Sequence, residues 1–137
     1  MMDVLRELCE ATGISGDEGE VRALILKHIQ GHVEDIRIDA LGSVLAVKRG
    51  TGAVRLRVMA AANMDEVGMM VMGFASDGMI RFSVVGGLAA CMLPGTRVPV
   101  GTDTIPGVIG WPPLSLYKSQ VPVPTDRFRI HLGLQTR

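Results

Sequence analysis

The feature that most constrains this chain is a change of texture near residue 67. Before it, apolar residues recur first at helical spacing and then in alternating runs. In "MDVLRELCEAT", Val4, Leu5, Leu8 and Cys9 fall on one helical stripe, and Gly13 supplies a stop. "SGDEGEVRALILKHIQG" opens with Ser15 and acidic residues suited to a helix amino terminus. It carries Val21, Leu24, Ile25 and Ile29 on one face and ends at Gly31. "DIRID" and "SVLAVKRG" around "ALGS" predict two strands joined by a turn, and "AVRLRVMAAAN" predicts a further strand entering a covered sheet. After Val67 come the short runs "VGMMVMGFA", "MIRFSVV", "TRVPV", "IPGVIG" and "FRIHLG", punctuated by "SDG", "GG", "PG", "GTDT" and "PP". Short β-rich runs with Gly/Pro punctuation and almost no helical period predict a small barrel or sandwich. Neither a low-complexity linker nor an internal repeat intervenes, so the second lobe is expected to grow directly out of the first.

The 137 residues suffice for one ordinary domain or two small lobes. Lys and Arg number 14, as do Asp and Glu, so the formal net charge is zero. That argues against nucleic acid or an anionic membrane as the main partner, because both call for a basic surface. The balance is uneven along the chain: residues 1–40 hold nine acidic and four basic side chains, the remainder five and ten. This asymmetry suggests an electrostatic contact between the two parts. Cys9 and Cys91 sit in apolar surroundings without a CxxC pattern and are expected to be buried free thiols in a reducing cytoplasm. No apolar run approaches the roughly 20 residues that span a bilayer, and the acidic "MMDVLRELCE" does not have the form of a signal peptide. The expected location is cytoplasmic. Mean hydropathy is positive, so some apolar surface of so small a chain is expected to face another subunit.

One apolar stretch, "MAAANMDEVGMMVM", holds two adjacent carboxylates, Asp65 and Glu66. On a strand Asp65 shares a face with Asn63, while Glu66 points the other way. That opposition weakens them as an acid/base pair. A carboxylate at the end of a buried strand needs an arginine, backbone donors or a metal site. Three histidines are available as ligands. His28 and His32 have i, i+4 spacing, but Gly31 between them is expected to break the helix, and no HExxH glutamate follows His28. His131 falls on a predicted strand near the chain end. The run of Met59, Met64, Met69, Met70 and Met72 reads as core or interface filling. "VVGGLAACMLPG" lacks the Walker lysine and the dinucleotide spacing, and "WPPLSLYKSQVPVP" reads as a surface loop.

Taken in order, "ATGISGDEGEVR", "DALGSVLAVKRG", "AANMDEVGMMV", "GMIRFSVVGG", "LPGTRVPV" and "IPGVIGWPP" resemble the amino-terminal part of M42-family metallo-aminopeptidases. This is the group of glutamyl, deblocking and tetrahedral aminopeptidases, and the resemblance runs from Leu5 to about Gly133. It implies an α+β chain: an incomplete α/β aminopeptidase-like segment at 1–67, an inserted β-rich (small barrel) dimerisation domain at 68–133, and a tail at 134–137. The family's second catalytic segment, with most metal ligands and the general-base glutamate, has no counterpart here, so the resemblance implies a truncated form. The family pattern His-Met-Asp-Glu, whose histidine binds metal and whose aspartate supports it, stands here as Asn63-Met64-Asp65-Glu66. An asparagine amide is a poor substitute for imidazole at zinc or cobalt, and an aspartate beside a ligating histidine serves to orient it. Ser43, Leu114 and His131 also depart from the family's usual asparagine, histidine and aspartate. The resemblance therefore implies a homo-oligomerising chain without catalysis of its own, with Asp65 vestigial and Asn63 a poor ligand. No cofactor is expected to bind tightly; zinc or cobalt follows from the resemblance alone. The alternative is a metal-dependent aminopeptidase completed by a second chain or a neighbouring subunit.

Overall fold

A computed structural model describes residues 1–53, 56–111 and 123–133. The chain divides into two compact units, Met1–Glu66 and Val67–Arg137. In the first, α1 (Met2–Glu10) and α2 (Gly19–Ile29) are followed by a two-stranded antiparallel sheet of β1 (Glu34–Ile38) and β2 (Val44–Val47). Val21 on α2 and Ala11 at the end of α1 are the buried apolar side chains of this unit. The helices are also tied by charge: the Glu7 carboxylate lies 3.1 Å from Lys27 Nζ and 3.0 Å from His28 Nε2. The "DALGS" turn forms as its composition predicts. Asp39 Oδ1 accepts the backbone N–H groups of Leu41 at 2.9 Å and Ser43 at 2.8 Å, an arrangement Asp favours in turns. These donors, that of Ser43 foremost, hold the Asp39 carboxyl below its ordinary value.

Three expectations for this unit fail. The predicted strand over "AVRLRVMAAAN" is absent among its described residues: 56–63 belong to no strand and are exposed, Leu56, Val58 and Met59 more than four-fifths so. Continuous apolar character signals a stretch suited to being covered. It cannot supply the neighbouring strand that would hydrogen-bond it, and among the described residues β1 and β2 pair only with each other. Cys9, on α1, is exposed, as is Cys91 in the short helical turn Ala90–Met92 of the second unit. Ser15 does not begin α2, which starts at Gly19.

The described residues of the second unit form a five-stranded antiparallel sheet in the order β3-β4-β7-β6-β5, open between β3 and β5. Its strands are β3 (Gly68–Phe74), β4 (Ile80–Val85), β5 (Arg97–Val100), β6 (Ile105–Gly110) and β7 (Arg129–His131). Alternation decides which face is inside. In "IRFSVV", Ile80 and Phe82 are buried while Arg81 and Ser83 are exposed. The β3–β4 hairpin turns at "SDG", where Asp77 Oδ1 accepts the Met79 N–H at 3.0 Å. Ile80, Phe82, Leu93, Ile109, Val123, Phe128 and Ile130 form the core, and Trp111 packs edge-on against Phe128 with ring centroids 5.8 Å apart. The small barrel or sandwich expected from the punctuation takes the form of a curled, half-barrel sheet. Among the described residues one edge of β3 is unpaired. Of the methionines expected to fill core or interface, Met69 packs against the core, whereas Met59, Met70 and Met72 are exposed. Leu114, most of "WPPLSLYKSQVPVP" and the 134–137 tail lie outside the described residues.

Candidate functional site

Asp65 and Glu66 are held by the loop between α1 and α2, fifty residues upstream. Ser15 Oγ donates a 2.5 Å hydrogen bond to Asp65 Oδ2. The Glu66 N–H donates to the Gly13 carbonyl at 2.7 Å, and the Gly13 N–H reaches back to Glu66 Oε1 at 3.4 Å. Ile14 and Glu66 consequently form a short parallel bridge. The loop can come this close because residue 13 has no side chain: a Cβ there would stand 2.6 Å from Val21 Cγ2 and 3.4 Å from the Met64 carbonyl oxygen. Glycine 13 therefore serves a close approach as well as following the helix that ends at Glu10.

The partner of Asp65 is none of the three expected. Among the described residues no arginine, backbone donor or metal ligand set meets it; a hydroxyl does, and Asp65 is exposed at the surface. A carboxylate in water has no desolvation penalty to offset, so a single charge-assisted bond suffices. Asn63 is also exposed. Sequence reasoning missed Ser15 and Gly13 because nothing in their spacing ties them to residues 65 and 66. The available signal was the pair of glycines, Gly13 and Gly16, bracketing Ser15 in a non-helical loop.

The histidines are dispersed. His28 sits in the last turn of α2 against Glu7, and its hydrogen bond is the main reason the Glu7 carboxyl lies below its ordinary value, with Lys27 second. His32 follows the helix end, where its N–H bonds the Ile29 carbonyl at 3.0 Å, so the i, i+4 pair never shares a helical face. His131 ends β7 and accepts the Gly133 N–H at Nδ1, 3.0 Å away. A cleft of about 440 Å³ between the start of α2 and the β1–β2 turn is lined by Asp17, Glu18, Arg22, Leu41 and Gly42 among others; it includes none of Asn63, Asp65 and Glu66. Arg22 Nη1 there donates to the Gly42 carbonyl at 3.1 Å.

Zinc and cobalt sites take about four nitrogen, sulfur or carboxylate donors. Among the described residues no three of His, Cys, Asp and Glu converge. The stretch at 63–66 offers one neutral amide, one carboxylate already engaged by Ser15, and one engaged by Gly13. This donor set does not fit such a metal without donors from elsewhere.

Comparison with known proteins places these features in a family. The sequence profile described as M42 glutamyl aminopeptidase matches residues 42–137. FrvX of Escherichia coli (strain K12), provisionally named an aminopeptidase, is 35% identical over 142 aligned positions covering 99% of this chain and 39% of its own. The glutamyl aminopeptidase of Lactococcus lactis subsp. cremoris (strain MG1363) is 31% identical over 92% of this chain and 38% of its own. The solved TET1 peptidase of Pyrococcus horikoshii, described as able to assemble into a tetrahedron or a large octahedral shell, superposes with a TM-score of 0.80 at 30% identity. That match covers 98% of this chain and 41% of the peptidase. The chain thus spans about two-fifths of the length of the relatives it matches. With the profile matched over more than two-thirds of its residues, and with its mixed helical and curled-sheet fold shared, the chain belongs to the M42 glutamyl aminopeptidase family.

Proposed function

We propose that this chain by itself is a non-catalytic, self-associating member of the family, in which residues 68–133 are the oligomerisation domain and residues 1–67 a first segment of the aminopeptidase-like domain. The observation that carries the reading is Asn63-Met64-Asp65 with Asp65 bound to Ser15. Hydrolysis of a peptide's first bond by a metal-activated water needs a closed ligand set and a base. Asn63 stands at the family's histidine position, and Asp65 has no imidazole to orient. Self-association is supported by the TET1 peptidase's assemblies, by the unpaired β3 edge and by the exposed Met70, Met72 and Phe74. Two exposed free thiols suit a reducing cytoplasm. Among the described residues no helix is long and apolar enough to cross a membrane.

Zinc titration by calorimetry, on the chain and on Asn63→His, tests the site. Weak or no binding by the chain, strengthened in the variant, is the expected result. Tight stoichiometric binding by the unaltered chain would show that the ligands lie elsewhere.

A second reading, an aminopeptidase completed by another chain or subunit, is favoured by residues 56–63, whose exposed apolar side chains suit a strand awaiting neighbours. Recovery of zinc- or cobalt-dependent turnover on adding the carboxy-terminal portion of a family member would establish it.

A further inference from the structure

The charge asymmetry of the sequence coincides with the division into two units. Residues 1–66 hold eight basic and eleven acidic side chains, residues 67–137 six basic and three acidic, so the units carry net charges of −3 and +3. In the second unit three arginines, Arg81, Arg97 and Arg129, lie on the sheet face turned away from the core. Strand register places them. Arg97 pairs with Val108, and Val108 pairs with His131, which sets Arg97 and His131 on one row across three strands, on the order of 10 Å apart. Arg129 lies two residues from His131 on the same face, opposite Gly110. Arg81 and Arg129 flank the Ile80–Ile130 pair, and the Arg81 guanidinium lies over Gly73 of β3. Between these groups the face holds only small or apolar residues, Val108, Gly110 and Gly73, and no carboxylate. None of the three arginines is within 4 Å of a carboxylate among the described residues.

The first unit has the opposite excess, and it too is sorted. Glu7 is paired with Lys27 and hydrogen-bonded to His28, and Glu34 and Asp35 share the single cation of Arg49. Asp3, Glu10, Asp17 and Glu20 are exposed and have no cation within 4 Å among the described residues. These acids fall on or beside the two helices.

We propose that the outward face of the five-stranded sheet, carrying Arg81, Arg97, Arg129 and His131, docks the acidic helical part of a second copy of this chain. The occupant is a second copy because equal and opposite net charges on the two units make each copy complementary to another, and because a chain of zero net charge gains little from a polyanion. Such a contact joins two different surfaces, so it is head-to-tail and can extend an assembly beyond a pair. It rests on the reading that the chain self-associates and names a surface that does so.

The test is sedimentation velocity on the intact chain at about 50 and about 500 mM NaCl, a range over which the screening length falls from about 14 to about 4 Å. Two charge-reversed variants accompany it, Arg81→Glu with Arg97→Glu, and Glu10→Lys with Asp17→Lys; all four side chains are exposed and circular dichroism checks their folding. Arg129 is spared because its Nη1 donates to the Asp126 and Phe128 carbonyls. The expected result is association that weakens at least about tenfold in the higher salt and falls by as much in each variant alone. Mixing the two variants in equal amounts then restores it, since one keeps the acidic surface and the other the cationic one. Association indifferent to salt and to both variants would overturn this surface while leaving self-association intact. Loss in the variants without restoration on mixing would also overturn it. A monomer in every condition would overturn self-association as well, and retention of that monomer on single-stranded RNA would reassign the face to nucleic acid.

Discussion

Gly107 sits on β6 opposite Val98 of β5 and is buried. A Cβ at that position would stand 2.6 Å from Ile130 Cγ2, 3.2 Å from Val100 Cγ2 and 3.3 Å from Leu132 Cδ2. Carbon atoms rest about 3.5–4.0 Å apart, so Gly107→Ala forces an overlap of about 1 Å against Ile130. That side chain is 3% exposed and enclosed by the core, with little room to turn. Overpacking of this kind costs about 1–3 kcal/mol, against about 0.5–1 kcal/mol recovered when alanine replaces a glycine inside a strand. The net expectation is a destabilisation of up to about 2.5 kcal/mol. Urea unfolding followed by Trp111 fluorescence reads it, because the chain has a single tryptophan and its ring packs on Phe128 of the same core. A double-mutant cycle with Ile130→Ala locates the cause: with Cγ2 gone the alanine at 107 should be neutral or favourable, a coupling of about 1 kcal/mol or more. Stabilisation by Gly107→Ala in the unaltered background would refute the close approach of β6 and β7 on which the packing of this unit rests.

Other consequences are more local. Phe128→Ala removes a ring 1% exposed at the centre of the same core, and should cost about 3–5 kcal/mol and leave Trp111 emission shifted toward that of water-exposed indole. Ser15→Ala removes one hydrogen bond to an exposed carboxylate and should cost no more than about 1 kcal/mol by the same urea assay; a much larger loss would mean Asp65 is buried against something further. The Glu7 carboxyl is held below its ordinary value, so the link it makes between α1 and α2 is present above about pH 4.5 and is lost as pH falls through its lowered folded value. Helicity followed by circular dichroism from neutral to acid pH should therefore fall at the acid end in the parent chain. It should show a flatter profile, from a lower starting stability, in Glu7→Gln.

Where a segment's own periodicity determined its conformation, the sequence was legible. The alternation of "IRFSVV" emerges as buried Ile80 and Phe82 beside exposed Arg81 and Ser83, and the turns at "ALGS" and "SDG" close where aspartate can accept backbone N–H groups. Residues 56–63 were misread because pairing depends on a partner, which no local pattern reports. Their apolar character marks surface suited to burial, and the structure shows that surface uncovered. Cys9 and Cys91 were misplaced for a related reason: apolar neighbours in sequence do not bury a thiol when little of the chain packs over it. At the candidate site, Asp65 and Glu66 could be singled out from their setting. Ser15 and Gly13 could not, since a contact across fifty residues follows from a loop's path and from the space that a missing side chain leaves.

The central claim, that this chain alone does not catalyse peptide hydrolysis, is tested most directly by one assay: release of product from a panel of amino-acyl anilides by the mass-verified chain, with zinc or cobalt added. The account predicts no metal-dependent turnover above the buffer rate on any member of the panel. Metal-dependent turnover that co-purifies with the chain, and is abolished by Asp65→Ala, would contradict it and make the Asn63–Asp65 stretch part of a working centre.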